Sequence, residues 1–259
     1  MSRTIIPLKS HLIYGPVDSR RLGRSLGLNI LPAKSKFCPF DCVYCQYGHT
    51  QLHTLDESKG EDCPTVSELK GALTKALSEI PAPEYLTLSG NGEPTIHPDI
   101  SGIVDMMSAV RDQMAPEAKT AVLSNSTTVN RPGVRKALSK LDVRIMKLDA
   151  GTEEVFRRFN VPCDGVEFEE LVAGLAALES VTIQTLFAAG SDGNFTQENI
   201  DAWIECLKRI KPVAIQIYSL DRGTLPRDLK QIGLDDLQPL SQKLQQLGFD
   251  ARPYARESD

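Results

Sequence analysis

Three cysteines fall within eight positions in Phe37-Cys38-Pro39-Phe40-Asp41-Cys42-Val43-Tyr44-Cys45, a spacing of C-x3-C-x2-C. Thiolates are soft ligands that favour iron–sulfur clusters or zinc. Three of them in one short loop can hold three corners of a [4Fe–4S] cubane and leave the fourth iron open. An open iron can bind a small molecule and pass it an electron, whereas a cluster that only shuttles electrons wants a fourth cysteine. Zinc also needs a fourth ligand, and His49 follows Cys45 by four residues. Cys38, Cys42, Cys45 and His49 therefore also fit a structural Cys3His zinc site in a non-enzymatic protein. Unliganded thiols are the third reading of the same spacing.

Further polar residues follow short apolar runs. In Leu86-Thr87-Leu88-Ser89-Gly90-Asn91-Gly92-Glu93-Pro94-Thr95, two glycines allow backbone to approach a ligand, and a carboxylate can accept hydrogen bonds from an ammonium group. A dinucleotide-binding loop is the competing idea, but the third glycine of G-x-G-x-x-G is missing. Lys147 sits in an apolar run, so it must face a cavity or a partner. Asp149, two residues on, lies on the same strand face and can pair with it. Gln184, Thr185, Gln216, Tyr218 and Arg222 are further polar candidates.

The elements that must position these residues are legible from periodicity. Strands are predicted at 25–31, 85–88, 120–123, 143–148, 181–187 and 213–218. Between them lie helical patterns, including 66–80 with Thr65 and Glu68 as a capping box. Pro98 suits the first turn of a helix running to about Gln113. Asn130 reads as a cap before Arg131-Pro132, and Thr152 as another. Helices at 167–179, 196–210 and 235–247 complete the set, the last closed by Gly248. Strands alternating with helices imply a parallel sheet, and six strands are fewer than the eight of a closed barrel. The expected fold is α/β, a partial, open (β/α)6 TIM-type barrel with parallel strands. Residues 1–36 are expected to form a basic N-terminal arm and lead-in strand, 37–232 the core, and 233–259 a C-terminal helix and tail.

C-x3-C-x2-C with Tyr44 before the last cysteine resembles the signature of the radical S-adenosylmethionine (SAM) superfamily. The stretch Tyr14-Gly15-Pro16-Val17-Asp18-Ser19-Arg20-Arg21, leading into Phe40 to Gly48, is similar to the branch related to tRNA wyosine synthases. The resemblance implies a [4Fe–4S] cluster on Cys38, Cys42 and Cys45 whose open iron is chelated by SAM. One electron then cleaves the sulfonium to a 5′-deoxyadenosyl radical that abstracts hydrogen from the substrate. It further implies SAM contacts from Tyr44, from Gly90, Gly92 and Glu93, from Ser124 and Asn125, and from Asp149. An external electron donor of flavodoxin or ferredoxin type is the implied partner, and tRNA or a nucleotide-type molecule joins the substrate list. The alternative within the superfamily is an activase that acts on a glycyl-radical enzyme. Some relatives carry a second cluster upstream, but no cysteine precedes Cys38. An auxiliary cluster built from Cys63 and Cys163 is a minor reading, and Cys206 reads as core.

Composition bounds these readings. The chain has 259 residues, 41% hydrophobic and 24% charged, which excludes a disordered or fibrous protein. No apolar run approaches the ~20 residues needed to span a bilayer, and Met1 to Pro7 lacks the apolar run of a secretory signal. A cytoplasmic protein without membrane contact is expected. Residues 1–36 hold seven basic groups (Arg3, Lys9, Arg20, Arg21, Arg24, Lys34, Lys36) against one acid, Asp18, while the whole chain has a net charge of -5. The acidic remainder argues against a generic polyanion binder. The basic stretch is expected to be a solvated arm or a neutralising lining, with nucleic-acid contact as its alternative.

Overall fold

The computed structural model describes residues 5–221, 223–224 and 227–255. Eight strands form one sheet in sequence order: β1 (Ile13–Ser19), β2 (Gly23–Asn29), β3 (Tyr85–Ser89), β4 (Lys119–Ser124), β5 (Val143–Lys147), β6 (Val181–Leu186), β7 (Ala214–Tyr218) and β8 (Ala251–Tyr254). β1 is antiparallel to β2, and every later neighbour is parallel. Parallel neighbours require crossovers, supplied by α1 (Val66–Glu79), α2 (Ile100–Met114), α3 (Pro132–Leu138), the pair α4 (Glu153–Phe159) and α5 (Phe168–Ala176), α6 (Gln197–Ile210) and α7 (Leu234–Gln246). β1 and β8 end the sheet and do not pair with each other among the described residues, so the barrel is open.

The six expected strands are β2 to β7. Two more, β1 and β8, flank them. β1 alternates half-buried and exposed positions around Gly15-Pro16, and β8 is only Ala-Arg-Pro-Tyr, so neither carries an apolar run. Residues 13–29 are thus a β-hairpin built into the sheet, in which β2 is the expected lead-in strand and β1 an added partner. The capping box of α1 is present, with the Thr65 side chain accepting from the Glu68 N–H. Pro98 falls before the cap of α2, because the Asp99 carboxylate accepts from the Gly102 N–H at 2.9 Å and starts the helix there. Asn130 is not a cap either: Arg131 takes that position, and the Asn130 amide donates to Glu170 at 2.9 Å.

Helices close over the sheet with their apolar faces. Leu69, Leu73 and Leu77 of α1 are buried, as are Ile103, Val104, Met107 and Val110 of α2. Trp203 of α6 is wholly buried, edge-on to Phe187 at 5.3 Å, and its indole N–H donates to the Leu148 carbonyl at 3.0 Å. β6 is buried at all six positions, as a strand covered on both faces should be. Gly27 of β2 leaves room for the Tyr14 ring, which a Cβ would strike, and the Tyr14 hydroxyl reaches Ser89 on β3.

Candidate functional site

The cysteine loop follows β2 and is pinned from two sides by backbone hydrogen bonds. On one side the Phe37 N–H donates to the Asn91 carbonyl and the Glu93 N–H to the Phe37 carbonyl, both at 3.0 Å. Gly92 makes that approach feasible: its φ is +144°, and a Cβ would run into the Phe37 carbonyl. On the other side the Asp41 N–H donates to Val161 at 2.9 Å and the Val43 N–H to Phe159 at 3.0 Å, at the C-terminal end of α4. The Cys45 N–H bonds the Cys42 carbonyl at 3.0 Å, which turns the last two cysteines back on each other.

The loop forms part of the wall of a cavity of about 840 Å³ on the inner face of the sheet. Cys38, Cys42, Tyr44 and Cys45 line it, with Gly90, Gly92 and Glu93 from the end of β3 and Ser124 and Asn125 from the end of β4. Lys147, Gln184 and Tyr218 line it as well, whereas Asp149, Thr185 and Gln216 do not. Arg222 lies outside the described residues. That volume is within the roughly 300–1,000 Å³ typical of small-molecule sites.

Two buried carboxylates hold the wall. Glu93 is 1% exposed and its oxygens accept from the Thr95 N–H (3.0 Å) and hydroxyl (2.6 Å), the Ser124 hydroxyl (2.8 Å) and the Asn125 N–H (2.5 Å). Burial pushes its carboxyl above the ordinary range, against the pull of these donors. Asp149 lies behind the lining. Its Oδ1 accepts from the Leu186 N–H (2.8 Å) and faces the Lys147 ammonium at 2.9 Å. Its Oδ2 accepts from the Tyr44 hydroxyl (2.5 Å) and the Asn160 amide (2.9 Å). The ion pair expected between Lys147 and Asp149 is present, and the Lys147 ammonium also donates to the Tyr218 hydroxyl at 2.9 Å. Burial lowers the Lys147 pKa, but Asp149 and Tyr218 more than offset this and hold it above its ordinary value.

Both carboxylates connect to sulfur through an asparagine. The Asn125 amide donates to Cys38 Sγ at 3.4 Å and the Asn160 amide to Cys42 Sγ at 3.6 Å. Burial pushes the Cys38 thiol well up and the Cys42 thiol to about 12. Lys36, 2% exposed, donates to the Gly48 carbonyl at 2.8 Å and lies 3.7 Å from Asp41. Burial lowers its pKa, yet the neighbouring Cys45, Cys38 and Cys42 sulfurs carry it above the ordinary value. Asn160 and Lys36 were not singled out in sequence. A polar residue between Phe159 and Val161, and a lysine beside Phe37 two residues before Cys38, were the available signals.

The donor set fits an iron–sulfur cluster better than zinc. His49 is turned away to Asp41, Nδ1 to Oδ2 at 2.9 Å, and its side chain is 67% exposed. Among the described residues, no three His, Cys, Asp or Glu side chains converge as a single-ion site. Three thiols facing one cavity, two amide N–H groups aimed at sulfur and a buried ammonium beside them suit an anionic, thiolate-held cluster. Cys206, buried in α6, contacts the Gly151 carbonyl at 3.9 Å as expected of core. The Cys63 and Cys163 N–H groups bond Gly60 and Pro39.

An α/β open barrel carrying this loop defines a class of protein. Residues 34–222 match the radical SAM superfamily, and the chain belongs to it. That superfamily is one of enzymes that use a [4Fe–4S] cluster and SAM. The chain is 33% identical over 224 residues to the UPF0026 protein slr1464 of Synechocystis sp., which covers 85% of this chain and 78% of that protein. It is 24% identical over 224 residues to the SAM-dependent tRNA 4-demethylwyosine synthase of Arabidopsis thaliana, covering 80% of this chain but only 32% of that one. Among solved structures, Streptococcus suis SuiB bound to S-adenosylmethionine superposes with a TM-score of 0.63 at 14% identity, covering 89% of this chain and 50% of SuiB. TYW1 with a lysine-pyruvate adduct bound superposes with a TM-score of 0.58 at 14% identity, over 86% and 73%. At these identities the likeness is one of fold. No helix among the described residues is long and apolar enough to cross a membrane.

Proposed function

We propose that the chain reductively cleaves SAM at a [4Fe–4S] cluster held by Cys38, Cys42 and Cys45, and uses the product to abstract hydrogen from a tRNA or nucleotide-type substrate. The observation that carries this reading is the array at the cysteine loop: three thiols on one cavity, each of two sulfurs met by an asparagine amide, with Lys36 buried beside them. When bound, the cluster would supply the electron that cleaves the sulfonium and gives a 5′-deoxyadenosyl radical. The protein's part is position and exclusion of water. Tyr44 is fixed by Asp149 at 2.5 Å, which orients the loop that carries the thiols. Gly90 and Gly92 bring backbone to the cavity wall for the methionyl end of SAM, with Ser124 and Asn125 beside them. Asp149 acts behind these groups, while Glu93, on the wall itself, braces Ser124 and Asn125 through the hydrogen bonds it accepts from them.

The Arabidopsis relative supports a nucleotide-type substrate, as do Lys9, Arg20 and Arg21 on the cavity wall. We further take the protein to work in the cytoplasm with a flavodoxin- or ferredoxin-type donor.

Protein reconstituted anaerobically with iron and sulfide should bind one cubane and release 5′-deoxyadenosine when reduced with SAM. Cys42→Ala should lose the iron, and Cys206→Ala should keep it. Tight zinc binding without SAM cleavage, or equal iron loss in both variants, defeats the reading.

A further inference from the structure

The cations on the cavity wall are unequal. Lys36 lies among the thiols, Lys9 lies over the Tyr14 ring at 4.7 Å, Lys147 is paired with Asp149 at 2.9 Å, and Arg20 with Asp221 at 3.0 Å. Arg21 differs. Its guanidinium carbon sits 4.5 Å from the centre of the Tyr218 ring, so an aromatic face covers the plane of the cation. Its Nη1 is buried and has no hydrogen-bond acceptor among the described residues. A guanidinium is charged at every accessible pH and presents its donors in one plane. Stacking stabilises the cation but satisfies none of its N–H groups. What Nη1 lacks is an acceptor, and Arg21 is among the residues that line a cavity large enough for a substrate.

We propose that Arg21 is the receptor for an oxyanion of the substrate, a phosphate or a carboxylate, that its guanidinium draws to this stretch of the cavity wall. Tyr218 links it to the chemistry: the ring under Arg21 carries the hydroxyl that takes a hydrogen bond from Lys147, and the Lys147 ammonium lies 5.0 Å from the Tyr44 ring centre in the cysteine loop. An anion on Arg21 is therefore anchored to the same connected set of side chains that orients the thiols. A substrate so anchored presents its neighbouring carbons to the cavity. The inference rests on the proposed function for treating this cavity as the reaction chamber.

The test is anion binding to the reconstituted holoprotein, read as the rise in melting temperature with inorganic phosphate or malonate against chloride at equal ionic strength. At least one of the two oxyanions should give a saturable rise. Phosphate alone indicates a phosphorylated substrate, malonate alone a carboxylic acid, and both a general oxyanion site. Arg21→Gln should weaken the apparent affinity about tenfold or more, and Arg21→Lys less, because it keeps the charge and loses the fork. Arg209→Gln, which removes the same charge from the surface pair with Glu169, should change it by less than about twofold. If Arg21→Gln does not fold, Arg21→Lys decides on its own with a drop of about threefold. No saturable rise over chloride, or one that the Arg21 variants leave intact, overturns the proposal. Iron content and 5′-deoxyadenosine release by the wild-type protein are read separately. They can succeed while anion binding fails, and a failure there strikes the proposed function instead.

Discussion

Glu93 and Asp149 are two answers to one structural problem. Each carboxylate is buried at the end of a strand, accepts four contacts, and reaches a cysteine sulfur through an asparagine. Their donors differ. Every donor to Glu93 is neutral: one threonine and one serine hydroxyl, and two backbone N–H groups. Asp149 has a cation, Lys147, among its contacts, and Lys147 in turn holds Tyr218. Neutral donors leave the Glu93 charge costly to bury, whereas Asp149 and Lys147 neutralise each other. The β3–β4 side is thus latched by hydrogen bonds and the β5–β6 side by an ion pair.

Asp149→Ala should do the most damage, because it strands the Lys147 ammonium, whose side chain is only 15% exposed, and releases both Tyr44 and Asn160. The expected loss is about 3–5 kcal/mol, measured by urea unfolding of the metal-free protein. Glu93→Gln should cost less, about 1–3 kcal/mol, since one amide N–H group is turned toward donors while the cost of burying a charge is removed. A larger loss for Glu93→Gln than for Asp149→Ala would break the distinction.

The two sides also answer differently to pH. The Glu93 carboxyl lies above its ordinary 4.5 in the folded chain, so its contribution is full below 4.5 and lost as pH rises through the folded value. Lys147 lies above its ordinary 10.5, so its contribution persists through neutrality and is lost only as pH rises beyond 10.5 through the folded value. Unfolding free energy followed against pH should lose its downward slope just above 4.5 in Glu93→Gln, and its alkaline fall should shrink in Lys147→Met. Unchanged profiles in both variants would remove the electrostatic basis of the comparison. The smallest effect, at most about 0.5 kcal/mol, is expected for Glu153→Gln, because its pair with Arg157 is half exposed on the surface of α4. A loss of several kcal/mol there would show that solvent screening had been overrated.

The sequence showed the chemistry better than its support. Cysteine spacing, the six apolar strands and the Thr65 capping box are local patterns, written in neighbouring residues. The hairpin partner β1 was illegible because pairing with β2 depends on a turn and on cross-strand fit such as Tyr14 against Gly27, not on an apolar run. β8 carries Pro253 and gains its place from packing beside α7. Asp149 illustrates a different limit. Its position on the strand face was legible, and so was its pairing with Lys147, but not that Tyr44, Asn160 and Leu186 would take up its remaining capacity. Those donors come from up to 105 residues away. Arg21 was counted as one charge among seven, and only the tertiary fold distinguishes it from Arg20.

The turn between β1 and β2 reaches Asp221 across 201 positions of chain, and Arg21 rests on Tyr218. At this stretch of the cavity wall the first strands therefore meet residues from the last third of the chain. An N-terminal fragment that stops before β7 contains all three thiols of the cysteine loop but leaves the wall around Tyr218 and Asp221 unbuilt. During synthesis the three thiols are made early, and the enclosure that shields them is finished only when the sequence returns to meet its own beginning.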